Sequence, residues 1–164
     1  MNEMNEKMSE ELAGINFSGR KLPSALFGLV AQGFDERDGC FFIRALAGKQ
    51  TNAALKDFPD RTGWECFVNS LHVDDYVATD YLANACLLVM AVFKEWRFRE
   101  EDGIYQAIIS NDEYGATVKF HLLRDGAFWL GSHLDGYEEA ILLLDSCGGE
   151  EFIGYYVSGF EKGD

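Results

Sequence analysis

Histidine occurs three times, proline twice and cysteine four times in 164 residues, and Lys and Arg together number only 14. Each scarcity excludes a class of function. Cys40, Cys66, Cys86 and Cys147 lie far apart with no C-x-x-C pair and no His-rich neighbour, so neither a zinc site nor a redox dithiol is indicated. Reduced, mostly buried thiols in a cytoplasmic protein are the expectation. The apolar stretch Leu82 to Phe93 falls short of the ~20 residues a bilayer needs and is interrupted by Asn84, so no membrane span is expected. Met1 to Ser9 lacks the basic start and apolar core of a secretory signal. Seventeen glycines include neither G-x-G-x-x-G nor G-x-x-x-x-G-K-[ST], which leaves no cradle for a phosphate. No Ser or Cys sits in a glycine-flanked elbow, so nucleophilic catalysis has no foothold and no cofactor is expected.

What is abundant is negative charge. Asp and Glu number 28, giving a formal charge of -14 and a pI near 4.5. Such a field repels nucleic acid and anionic lipid, keeps a protein in solution, and speeds encounter with basic proteins. Apolar residues make up 48% and aromatics 14%, well above the composition of a disordered chain. One domain that folds without metal or disulfides follows from this length and composition.

Residues 1 to 21 are polar, with Gly14 and Gly19, and read as a loosely held start with at most a short helical turn, so the domain is placed at 22–164. Leu22 to Phe34 and Cys40 to Leu46 are apolar runs around Asp35-Glu36-Arg37-Asp38-Gly39, which suits a hairpin or a helix followed by a strand. Ala47 to Gly63 reads as irregular, with at most a short helix at Asn52 to Lys56. Trp64, Phe67, Val68 and Leu71 have helical spacing, and the strongest helix is Asp80 to Arg97, with Leu82, Cys86, Val89, Phe93 and Trp96 on one stripe. Beyond it, Ile104 to Ser110, Ala116 to Leu123, Ala127 to Leu130, Ala140 to Leu144 and Phe152 to Ser158 are strand-length runs separated by turn signals. The expected class is α+β: a helical N-terminal half packed on an antiparallel meander formed mainly by the C-terminal half.

Candidate chemistry is sparse. His72-Val73-Asp74-Asp75 sets an imidazole near two carboxylates, which could serve a small metal- or ligand-dependent enzyme, or could simply satisfy backbone groups at a helix junction. Cys66 lies near His72, but Glu65, Asp74 and Asp75 oppose a thiolate there. The adjacent pair Glu138 and Glu139 is what a chain this acidic shows anyway. The acidic groups that stand out are Asp74, Asp75 and Asp80 before the long helix, Glu100, Glu101 and Asp102 after it, and Asp112 and Glu113 in a hairpin loop. Brought together beside Tyr76, Tyr114 or Trp129, they would form an anionic patch with aromatic anchors.

Two stretches carry a resemblance: Phe67-Val68-Asn69-Ser70-Leu71-His72-Val73-Asp74-Asp75-Tyr76, and Val118-Lys119-Phe120-His121-Leu122-Leu123-Arg124 through Trp129-Leu130, Tyr137 and Ala140 to Asp145. Over roughly residues 64 to 145 the chain resembles immunity proteins of bacterial contact-dependent growth inhibition and related polymorphic toxin systems. The resemblance implies a cytoplasmic protein without enzymatic activity that binds and blocks a cognate toxin domain, often a nuclease, and it carries over no universal contact residues. Asp74, Asp75, Tyr76, Asp80, Glu100, Glu101, Asp102, Asp112, Glu113 and Tyr114 are the candidates for toxin contact, chosen by their charge and setting.

Overall fold

Along the strand Gly115–Leu122, Ala116, Val118 and Phe120 are fully buried while Thr117 and Lys119 remain partly open, the alternation expected of a sheet with one face in the core; it breaks at the end of the strand, where His121 is buried and Leu122 partly open. The computed structural model describes residues 2–49 and 52–158. In chain order the elements are β1 (Glu3–Met4), α1 (Glu6–Ala13), α2 (Ser24–Ala31), β2 (Phe34–Arg37), β3 (Cys40–Ile43), α3 (Arg44–Ala47), α4 (Arg61–Val68), β4 (Ser70–His72), α5 (Tyr81–Phe98), β5 (Tyr105–Asp112), β6 (Gly115–Leu122), β7 (Ala140–Asp145) and α6 (Gly149–Ser158). Helices dominate the first half and strands the second, so the α+β class holds.

The sheet runs β1-β7-β5-β6-β4 with every neighbouring pair antiparallel. This corrects the meander. After β6 the chain crosses over and adds β7 on the far side of β5, which places β5 at the centre. On the inner face, Ala107, Ile109, Val118, Phe120, Leu142 and Leu144 meet the stripe of α5, whose Cys86, Val89, Phe93 and Trp96 are all buried as the spacing predicts. The β2–β3 hairpin turns at Asp38 and Gly39, with φ of 52° and 76°, the two positive values that a tight two-residue connection demands. Its Phe34 and Phe41 rings edge onto Trp96 at 5.5 and 5.0 Å, and Trp96 stacks on Tyr105 at 4.7 Å. Aromatic packing therefore joins hairpin, helix and sheet.

Four other expectations change. The first residues are built into the fold: β1 extends the sheet, Met8 and Leu12 of α1 are buried, and the Asn5 side chain caps α1 while bonding Ile141 N and Glu139 O at 2.9 and 2.8 Å. The Met8–Leu12 spacing of four residues was the available signal, masked by the acidic groups around it. Helix α4 starts earlier than Trp64, capped by Asp60 accepting from Gly63 N at 2.7 Å, and gives way at Asn69 so that Leu71 lies on β4. Ala127–Leu130 is a loop, since the outer edges of β7 and β6 are already taken by β1 and β4, and only the bridge between Arg124 and Ala127 resembles a hairpin. Phe152–Ser158 is helical: a short apolar run does not reveal its own period, and here Ile153 is buried in the core formed with α5.

Candidate functional site

Two polar assemblies rise from this framework, one buried and one exposed. The buried one lies where α4 wedges between the hairpin and β6. Glu65 is fully buried; its carboxylate accepts from Phe41 N at 2.8 Å, Leu122 N at 3.2 Å and Arg124 Nη1 at 2.5 Å. Burial raises its carboxyl above the ordinary range, while Arg124 and the two amides pull the other way. Every partner is a donor, the set that suits an anionic carboxylate. One turn on, Asn69 accepts from Ile43 N at 2.8 Å and donates to Phe41 O, Phe120 O and the Tyr105 hydroxyl at 2.9 to 3.1 Å. The two side chains stand in for a missing strand, satisfying the free edge of β3 and the end of β6 beyond β4. This is architecture, and its members went unassigned at the sequence level because nothing local marks residues that bond partners dozens of positions away.

His121, beside this hub, is 1% exposed; Nδ1 lies 2.9 Å from Leu122 O and Nε2 has no partner among the described residues. Burial, aided by the charge of Arg124, holds its pKa below the ordinary value. Below pH ~6.5 the unfolded chain therefore takes up a proton that the folded chain refuses, and stability falls as pH drops toward the folded-state value. The expected loss is up to about 1.4 kcal/mol per pH unit in that window. Urea unfolding at pH 7.5 and 5.5 should show that His121→Gln loses less stability on acidification than the parent; equal losses would refute the account.

The three buried thiols are chemically quiet. Burial pushes Cys40 to about 11 and Cys66 and Cys86 to about 12, while Cys147 is exposed. His72 and its neighbours diverge: the ring meets Thr117 Oγ1 at 3.2 Å, whereas Asp74 is pressed beneath Gly115. A Cβ at Gly115, whose φ is 146°, would fall 2.6 Å from the Asp74 carboxylate, so glycine alone lets the 73–75 turn seat on the β5–β6 hairpin.

That seating creates the exposed assembly. Asp74 meets the hairpin tip, where Asp112 accepts from Tyr114 N and Gly115 N at 2.8 and 3.2 Å and Tyr114 stands 79% exposed. Helix α1 approaches from the other side, Glu11 accepting from Asn111 Nδ2 at 2.6 Å and Lys7 donating to Glu138 O at 2.8 Å. Lys7, Asp112, Glu113, Tyr114, Glu138 and Glu139 line a depression of about 360 Å³, and Glu6, Glu10 and Asp135 border a second beside it. Lys7 is the basic residue lining both. One end of the sheet thus gathers carboxylates from α1, the 73–75 turn, the hairpin tip and the loop before β7.

The candidate residues divide accordingly. Asp74, Asp112, Glu113 and Tyr114 come together, whereas Asp75 lines a separate depression with Lys49, His72 and Tyr76. Asp80, at the start of α5, is engaged by Arg20 at 3.1 Å, which lowers its pKa. Tyr76 is half-buried and its hydroxyl accepts from Lys49 at 2.6 Å. Glu100, Glu101 and Asp102 lie at the opposite end of the eight-residue β5, about 25 Å away at ~3.3 Å per residue. Trp129 sits on the outer face of the sheet, its ring under Lys119 Nζ at 5.5 Å. Glu6, Glu10, Glu11, Asp135, Glu138 and Glu139 were not singled out as contacts, because their grouping depends on β1 and β7 pairing across the length of the chain.

Among the described residues no helix is long and apolar enough to cross a membrane, and none form a group of three or more metal-type ligands. A family model described as the Uncharacterized protein PM0498 family matches residues 3–154, from β1 into α6. The Uncharacterized protein PM0498 of Pasteurella multocida (strain Pm70) is 30% identical over 99 residues, which cover 54% of this chain and 63% of that relative. The chain thus spans less than two thirds of the relative's length. No solved structure matches the chain.

Proposed function

The chain belongs to the Uncharacterized protein PM0498 family, and we propose that it is a binding protein whose acidic end engages a cationic protein surface, as an immunity protein covers its toxin. The carrying observation is the convergence of carboxylates from four separate segments around Tyr114, with Lys7 as the basic residue among them. Charge scattered to keep a protein in solution has no reason to collect at one end of a sheet. Gathered charge steers a basic partner into register and raises its on-rate, and an exposed aromatic at the centre supplies a contact that can be desolvated. No catalytic step is assigned to this surface.

The test is titration with the product of the adjacent upstream gene, with toxicity of that product in cells as a second readout. A complex is expected whose association rate falls roughly 10- to 100-fold in the Asp112→Lys, Glu113→Lys variant and falls steeply with salt. No complex with that product, or a complex that leaves toxicity unchanged, would end the immunity reading. A small metal- or ligand-dependent enzyme built on His72, Asp74 and Asp75 has no geometric support, since His72 and Asp74 turn to different partners.

A further inference from the structure

The outer face of the sheet is not covered by α5. The chain between β6 and β7 crosses it and leaves an open groove of about 590 Å³. Ile108 and Leu143 form the floor, and Ile104, Phe128, Trp129 and Leu130 the walls. Phe128 is 80% exposed, Trp129 44% and Ile104 38%, so large apolar side chains that could have been buried stand in water around a concavity. The walls are held in place. Lys119 sits over the Trp129 ring, the Tyr137 hydroxyl accepts from Gly131 N at 3.0 Å, and Arg124 bridges to Ala127.

We propose that this groove docks an apolar segment of a partner protein flanked by basic residues. Charge selects the occupant. Glu3 and Asp125 line the groove, and the run Glu100-Glu101-Asp102 leads directly into Gly103 and Ile104 on its wall. Arg124 offers little compensation, because its guanidinium is engaged by Glu65 and by Gly39 O at 3.1 Å. A second copy of a chain with a net charge of -14 would bring acidic rim against acidic rim. A small-molecule site encloses most of its ligand, which an open groove does not, and a small molecule would leave Phe128 standing in solvent, whereas the flank of a protein segment covers both groove and ring. The site is independent of the acidic end, which lies across the length of β5.

Trp64 and Trp96 are 5% and 2% exposed, so Trp129 is the fluorophore that a groove ligand reaches. The probe is a short amphipathic helical peptide of leucine and lysine, set against a leucine and glutamate peptide with the same apolar face. The lysine peptide is expected to shift Trp129 emission to the blue and saturate, with binding weakened roughly tenfold or more in Phe128→Ser and in Glu3→Lys, Asp125→Lys. Binding should be unchanged in Glu113→Lys, which reverses a charge at the acidic end and leaves the Asp112 turn intact. The absence of a shift, equal shifts with both peptides, or dependence on Glu113 with indifference to Phe128 would overturn the proposal. So would a concentration-dependent shift without peptide, which would assign the groove to a second copy.

Discussion

Glu65→Ala is expected to destabilise the fold by about 3–5 kcal/mol, measured as a fall in the urea midpoint at unchanged slope. The substitution removes the acceptor of Phe41 N, Leu122 N and Arg124 Nη1 at once, and the first two amides lie where water cannot easily replace it. Arg124 retains a route to solvent, with 21% of its side chain exposed, so the effect belongs toward the lower end of the range. Glu65→Gln separates charge from shape: its single oxygen can serve Leu122 N and Arg124 on one side or Phe41 N on the other, and its NH2 group then faces the remaining donor. It should cost less than alanine and still more than a surface substitution. In the double variant with Arg124→Leu, the loss should be smaller than the sum of the two single losses, because each single change strands the other's partner. Additive losses, or an alanine variant within about 1 kcal/mol of the parent, would show that the hub does not hold the hairpin to the sheet.

Asn69→Ala should cost about 3 kcal/mol, from one accepted hydrogen bond and two N–H donors shared among three acceptors, at roughly 1 kcal/mol each, although Phe41 O keeps the Tyr105 hydroxyl at 2.9 Å. The loss has a distinctive location. Ile43 N then has no acceptor and Phe120 O one donor fewer, so amide exchange should accelerate at Ile43 in the hairpin before it does at Ile109 in the central strand. Asn69→Asp preserves the shape but places a carboxylate against two carbonyls, and should be no more stable than alanine. Uniform exchange changes across the sheet, or an aspartate variant as stable as the parent, would remove Asn69 from its bridging role.

These two positions explain why the fold was readable in part. The α5 stripe and the β6 alternation announce themselves because their period is written within a few residues and one apolar face decides it. The β5–β6 hairpin likewise follows from Asp112 to Gly115 lying between two β-rich runs. Phe152–Ser158 and Ala127–Leu130 misled for the reverse reason: both are short apolar runs whose state depends on whether a sheet edge is available. The edges were already taken, by β1 on β7 and by β4 with the α4 side chains on β6. The N-terminal segment misled because its glutamates masked Met8 and Leu12.

The two surfaces proposed for binding divide the recognition problem between them. The acidic end supplies long-range attraction that salt screens, and the groove supplies apolar area that salt leaves in place. A basic partner with one exposed apolar segment could use both.

By itself the amino-acid order determined the α+β class, the long core helix, the central hairpin and a field hostile to polyanions, since each depends on composition or on neighbours a few positions apart. Only the tertiary structure decided that β7 joins β5, that Glu65 and Asn69 bridge two edges, and that carboxylates from residue 6 to residue 139 share one end while Glu100 to Asp102 stand at the other. The reason is distance along the chain. Contacts such as Glu11 to Asn111 and Asn5 to Ile141 join segments 100 and 136 residues apart, and they form only because the sheet buries an apolar face that closes those loops together.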